Sequence, residues 1–166
     1  MTSVYLSLGS NIAPRFTTLN SALNALALIS ETSVKAVSSF YETEAVASTS
    51  QRSFLNLAAT LKTTLSPKVL LEKCRQIESS HGRPLVRLKD EPRTLDIDII
   101  FFGSRLSDSD ELKLPHTRYA SRRFVLEPLA EIAPDFLCSD TGLSVKETLN
   151  QCNDMFSVRR LELEAA

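Results

Sequence analysis

Leu95-Asp96-Ile97-Asp98-Ile99-Ile100-Phe101-Phe102 is aliphatic and aromatic throughout, except for two carboxylates set two residues apart. That composition favours a strand, and a strand sends successive side chains to opposite faces. Leu95, Ile97, Ile99 and Phe101 are therefore expected on one face, with Asp96 and Asp98 together on the other. Two like charges so close repel each other unless a cation sits between them. One reading is a solvated strand face with basic cross-strand neighbours. Asp is a poor strand former, however, and the segment is otherwise too apolar for an edge exposed by accident. A divalent-cation pair is the better reading, and hard oxygen donors suit magnesium, which keeps several waters and accepts phosphate oxygens.

Upstream of this strand lies a charged stretch containing Arg83, Arg87, Lys89 and Arg93, interrupted by Asp90 and Glu91. Charge alone would make it a solvated loop. Beside a metal-like pair, guanidinium groups that grip phosphate through two parallel hydrogen bonds suggest a polyphosphate site. Before it comes a well-punctuated helix. Ser66 is a natural N-cap, Pro67 suits the first helical position, Leu70, Cys74 and Ile77 form the apolar stripe, and Gly82 and Pro84 end it. Glu78 and His81 fall in its last turn; an acid there opposes the helix dipole, a mild hint only.

Further upstream, Val4–Gly9 reads as a strand closed by the Gly9-Ser10-Asn11 turn. Pro14–Ile29 reads as a helix with Phe16, Leu19, Leu23 and Leu26 on one face. Ser33–Tyr41 and Phe54–Leu65 read as strands joined by a polar loop. In the second, Leu55, Leu57, Ala59 and Leu61 are expected to face the core. Phe54 and Asn56 would share the opposite face, either as a second core layer or as the aromatic-plus-amide pair that a flat heterocycle requires. Downstream, Arg122–Ile132 and Ser144–Cys152 read as helices. The succession strand, helix, strand, strand, helix, strand predicts an α+β fold with a ferredoxin-like core. The chain is expected to be one domain over residues 1–166, with 153–166 as a flexible tail.

The rest of the composition excludes more than it assigns. Nineteen basic and twenty acidic residues give a net charge of −1, which argues against a nucleic-acid surface. The three cysteines are widely spaced and odd in number, so neither a disulfide framework nor a zinc site is implied. Met1-Thr2-Ser3 has no basic region followed by an apolar run, and no stretch is long and apolar enough to cross a membrane. A cytoplasmic protein is expected. Four glycines assemble no phosphate-binding loop or protein-kinase signature. Charge would then be handled by carboxylates, arginines and a metal.

Seven stretches together resemble one family. They are Gly9-Ser10-Asn11, Phe40-Tyr41-x-Thr43, Phe54-Leu55-Asn56, His81-Gly82-Arg83, Pro92-Arg93-Thr94-Leu95-Asp96-Ile97-Asp98-Ile99, Leu114-Pro115-His116 and Arg122-Arg123-Phe124-Val125-Leu126-x-Pro128-Leu129. In that order, over roughly Val4 to Pro134, the chain is similar to 6-hydroxymethyl-7,8-dihydropterin pyrophosphokinases. The resemblance implies transfer of diphosphate from ATP to the pterin in folate synthesis, with ATP as co-substrate and two magnesium ions on Asp96 and Asp98. It implies a pterin ring stacked between Phe54 and Phe124 and read by Asn56, Thr43 and Val46. Leu71, Glu78, Ile99, Lys113, His116 and Arg122 would line the ATP site, Arg83 and Arg93 would stabilise the transferred group, and Asp98 is a candidate proton acceptor. The chain departs from the common pattern at Glu44-Ala45-Val46-Ala47, Leu85, Asp90-Glu91 and Thr117. A monomer acting on small molecules, without nucleic acid or membrane, is expected. Two rival readings are a degenerate pterin or nucleotide binder without turnover and a ferredoxin-like RNA-binding domain; the charge balance disfavours the second.

Overall fold

The computed structural model describes residues 1–43, 53–82 and 94–162. Val46, Arg83 and Arg93 lie outside the described residues. Strand β1 (Thr2–Ser10) runs through the middle of the molecule, antiparallel to β4 (Phe54–Thr63) on one side and β5 (Asp96–Phe102) on the other. The described residues form a six-stranded sheet in which β2 (Thr32–Val37) and β3 (Tyr41–Thr43) both pair with β4, and β8 (Val158–Arg160) pairs with β3. A small hairpin, β6 (Ser107–Asp108) and β7 (Lys113–Leu114), stands apart.

Helices cover both faces. Helix α1 (Arg15–Ala27) and helix α2 (Pro67–Ser80) pack on one, burying Leu19, Ala22, Leu26, Leu70, Cys74 and Ile77 against Leu6, Leu8, Leu57, Leu61, Ile97 and Ile99. Ser66 caps α2, its hydroxyl accepting from the Val69 N–H, with Pro67 at the first helical position. On the opposite face lie α3 (Arg123–Ile132) and α4 (Val145–Gln151), which enclose Tyr5, Ala58, Ile100, Phe101 and Tyr119 with Val125, Leu126 and Leu129. Helix α4 starts with a reciprocal capping box between Ser144 and Glu147.

Two expectations need correction. Phe101 does not share a face with Ile97 and Ile99. The register runs Tyr5 to Phe101 and then Leu6 to Ile99, so Ile100 is an extra residue, a β-bulge. The bulge reverses the alternation, and Phe101 joins Ile100 in the α3 cluster while Phe102 takes the α1–α2 side. The strand expected over Ser33–Tyr41 is also broken. From Val37 to Tyr41 the chain advances four residues while β4 advances three, from Ala59 to Asn56. Ser38 bridges the gap, its N–H donating to the Ala58 carbonyl at 2.9 Å and its hydroxyl accepting from the Ala58 N–H at 2.8 Å. Within 153–166, Val158–Arg160 is an ordered strand on β3.

Candidate active site

Register decides which side chains meet, because residues opposite one another on neighbouring strands project to the same face. Gly9 lies opposite Asp96 on one side and Asn56 on the other, and Asn56 lies opposite Tyr41. One row further along, Ser7 lies opposite Asp98. Asp96 and Asp98 are partly exposed, unlike their strand neighbours Ile97 and Ile99 at 3% each. All these residues share the α3 face, but at the end of the sheet beyond the apolar cluster that α3 and α4 roof over. The sheet therefore changes character along its length, from aromatic core to polar floor.

Gly9 is needed on that floor. A Cβ there would come within 2.8 Å of Asn56 Oδ1 and 3.7 Å of Phe54 Cδ1. Only hydrogen at this position lets the Asn56 amide and the Phe54 ring both lean over the central strand. The amide is fixed at its other end, where Asn56 Nδ2 donates to Thr43 Oγ1 at 2.8 Å. Asn56 and Thr43 are both 3% exposed. Phe54, opposite Thr43 in the last pair of the β3–β4 ladder, is half-buried. An aromatic ring and an oriented amide thus stand two strands away from a pair of carboxylates, a separation of about 10 Å at the usual strand spacing.

The wall comes from the chain after β5. The His116 N–H donates to the Ile100 carbonyl at 3.0 Å, which ties the 114–118 turn to the end of the strand. Its Nδ1 accepts from the Arg118 N–H at 3.2 Å, so the neutral ring carries its proton on Nε2. Burial and the nearby Arg122 guanidinium hold the imidazole below its ordinary range, and the opposing charge of Asp96 does not cancel them. Arg122 sits 5.5 Å from the centroid of the Phe124 ring, at the start of α3. Glu78, in the last turn of α2, is 3% exposed. The Cys74 thiol one turn earlier is pushed up to about 12 by burial and by the charges of Glu78 and Asp98.

Three further candidates have surroundings of their own. The Ile99 side chain is in the α1–α2 core and Leu71 packs against that core, so Ile99 can offer a ligand its backbone alone. Lys113 lies on the separate hairpin, where its ammonium pairs with Asp108 at 2.8 Å. Sequence reasoning undervalued Gly9, although a glycine inside a strand is itself a sign of close approach. It missed Ser7 and the Arg15–Glu42 pair, which carry no local signal.

The donor set suits a hard divalent cation. Asp96 and Asp98 offer accessible carboxylates on one face, and among the described residues no cluster of three His, Cys, Asp or Glu could enclose a metal. Two carboxylates leave coordination positions for water and for phosphate oxygens, as magnesium prefers.

The sequence model of the family described as 7,8-dihydro-6-hydroxymethylpterin-pyrophosphokinase matches residues 5–134. The 2-amino-4-hydroxy-6-hydroxymethyldihydropteridine pyrophosphokinase of Pseudomonas aeruginosa is 42% identical over 150 residues, covering 90% of this chain and 91% of that protein. Its counterpart in Methylorubrum extorquens is 41% identical over 163 residues, covering 98% and 100%. Among solved structures, a Plasmodium falciparum HPPK-DHPS with pterin and p-hydroxybenzoate superposes with a TM-score of 0.70 at 14% identity. It covers 90% of this chain, and this chain spans 43% of that one; the likeness is one of fold. With a match over most of its length and these identities, the chain belongs to the 7,8-dihydro-6-hydroxymethylpterin-pyrophosphokinase family.

Proposed function

We propose that this protein transfers a diphosphate group from ATP to 6-hydroxymethyl-7,8-dihydropterin, releasing AMP, in folate biosynthesis. The observation that carries the reading is the floor on which Asp96, Gly9 and Asn56 lie in one cross-strand row. It joins a carboxylate pair to a ring-and-amide subsite on one surface, as a reaction joining polyphosphate to heterocycle needs. The core strand order β5–β1–β4–β2 supports the ferredoxin-like reading of the fold.

The pterin stacks between Phe54 and Phe124, and Asn56, with the chain at Thr43 and Val46, pairs with its amide edge. Thr43 fixes which way the Asn56 amide faces, because Nδ2 is already committed to its hydroxyl. Glu78, His116 and Arg122 serve the ATP side, together with Leu71, Lys113 and the Ile99 backbone. A neutral His116 donates one Nε2–H there without adding charge. Asp96 and Asp98 hold two magnesium ions, which supply charge neutralisation along the polyphosphate when bound. The pterin hydroxyl oxygen forms a bond to the β-phosphorus, the bond from that phosphorus to the α,β-bridging oxygen breaks, and AMP departs. The hydroxyl proton is lost in the step, with Asp98 as its candidate acceptor, and Arg83 and Arg93 stabilise charge on the transferred group. The protein works in the cytoplasm as a monomer.

Purified protein with ATP, magnesium and 6-hydroxymethyl-7,8-dihydropterin should yield AMP, separated by chromatography, only when both magnesium and the pterin are present. ADP in its place would overturn diphosphate transfer.

A further inference from the structure

Arg15 occupies the first position of α1, where a cation opposes the helix dipole and Pro14 at the N-cap gives no side-chain hydrogen bond. Its partners lie far away in sequence. One terminal nitrogen donates to Glu42 Oε2 at 3.0 Å, and the other to the Ser53 carbonyl at 3.0 Å and the Ser53 hydroxyl at 3.4 Å. Glu42 precedes Thr43, Ser53 precedes Phe54, and Thr43 and Phe54 are the last register pair of β3 and β4. The second Glu42 oxygen meets Arg159 of β8 at 3.5 Å. Arg15 and Glu42 are both partly buried, at 24% and 29% side-chain exposure.

Strand β3 is three residues long, too short for its own ladder to hold it rigidly. To its short ladders with β4 and β8 are added side-chain ties, with Asn56 gripping Thr43 on the site face and Arg15 gripping Glu42 next door. We infer that Arg15 is a positioning residue for the heterocycle subsite, its guanidinium fixing the distance between the strand ends that carry Thr43 and Phe54. The planar fork can span a carboxylate and a carbonyl at once, which a lysine ammonium on its flexible stem does less well. The inference rests on the pterin reading of that subsite.

The test is equilibrium binding of 6-hydroxymethylpterin, followed by its fluorescence, and separately of ATP with magnesium, to wild type, Arg15→Ala, Arg15→Lys and Glu42→Gln. Arg15→Ala should weaken pterin binding roughly tenfold while ATP binding stays within about twofold. Arg15→Lys should recover part of the loss, because it restores the pair with Glu42 but not the bridge to Ser53. Glu42→Gln should weaken pterin binding in the same sense. Pterin binding unchanged in Arg15→Ala, or pterin and ATP weakened equally, would overturn the positioning role. If Arg15→Ala does not fold, a wild-type pterin affinity in both Arg15→Lys and Glu42→Gln overturns it as well. Wild-type protein that binds ATP but no pterin would instead sink the reading of the subsite, and the inference with it.

Discussion

A hydrogen atom at position 9 decides how close the Asn56 amide and the Phe54 ring can come to the central strand. Gly9→Ala would press a methyl group against Asn56 Oδ1 at 2.8 Å, and the amide cannot swing away without leaving Thr43. The variant should lose about 1–3 kcal/mol of stability in urea titrations and most of its pterin affinity, while ATP binding persists. Retention of wild-type pterin binding would show that Asn56 is not held where the register puts it. Asp96→Ala and Asp98→Ala remove surface charge rather than core packing, so both should keep the wild-type melting temperature to within a few degrees. Both should slow AMP formation by a factor on the order of a thousand; an unchanged rate in either would sink the metal assignment. The pair was readable from its spacing because the ladder is regular from Asp96 to Ile99, where period two holds, and the bulge comes only afterwards. Arg15 and Glu42 were not, since twenty-six residues of intervening chain give no periodic signal and only the folded sheet brings them together.

At the scale of elements, α3 is fastened at both ends. Its first N–H donates to Asp154 at 2.9 Å. Near its last turn Glu131 accepts from the Ser39 N–H and hydroxyl and from the Tyr41 hydroxyl at 2.7 Å, with Arg160 at 3.5 Å. Burial alone would raise the Glu131 carboxyl, but the hydrogen bonds from Tyr41 and Ser39, with Arg160, outweigh it and hold it below its ordinary 4.5. The folded state therefore binds this proton less readily than the unfolded chain. The resulting stabilisation is present above about pH 4.5 and is lost as the pH falls through the lower folded value. Melting temperatures measured from pH 6 to pH 3 should fall more steeply for wild type than for Glu131→Gln, and identical slopes would refute the role. Helices were the legible elements, since Ser66-Pro67 and Ser144 with Glu147 announce their starts by chemistry local in sequence. The break at Ser38 was not legible, because Val34 and Val37 before it and Phe40 and Tyr41 after it all suit a strand, and only the count against β4 exposes the extra residue.

For the molecule as a whole, the sheet separates two apolar layers with different duties. The α1–α2 layer is closed and holds Cys74, whose thiol is pushed up to about 12 by burial and then by neighbouring carboxylates. Since the thiolate is the reactive species, iodoacetamide at pH 8 should modify Cys74 only as fast as the molecule opens. The rate at Cys74, followed by peptide mapping because Cys138 and Cys152 lie in the other layer, should climb with urea in step with the loss of circular dichroism. Modification of Cys74 in native buffer would mean that this layer is not closed. Among the described residues the α3–α4 layer roofs the aromatic end of its face, and the polar floor lies at the other end. The bulge at Ile100 lies between those two ends, and its consequence is a doubled contribution from one strand to one layer. Strict alternation would give the α3 layer only one of Ile100 and Phe101, whereas the extra residue gives it both. Deleting Ile100 would close the bulge with Phe101 still opposite Tyr5 and Ile99 still opposite Leu6, so what the molecule would lose is one buried side chain from the α3 layer.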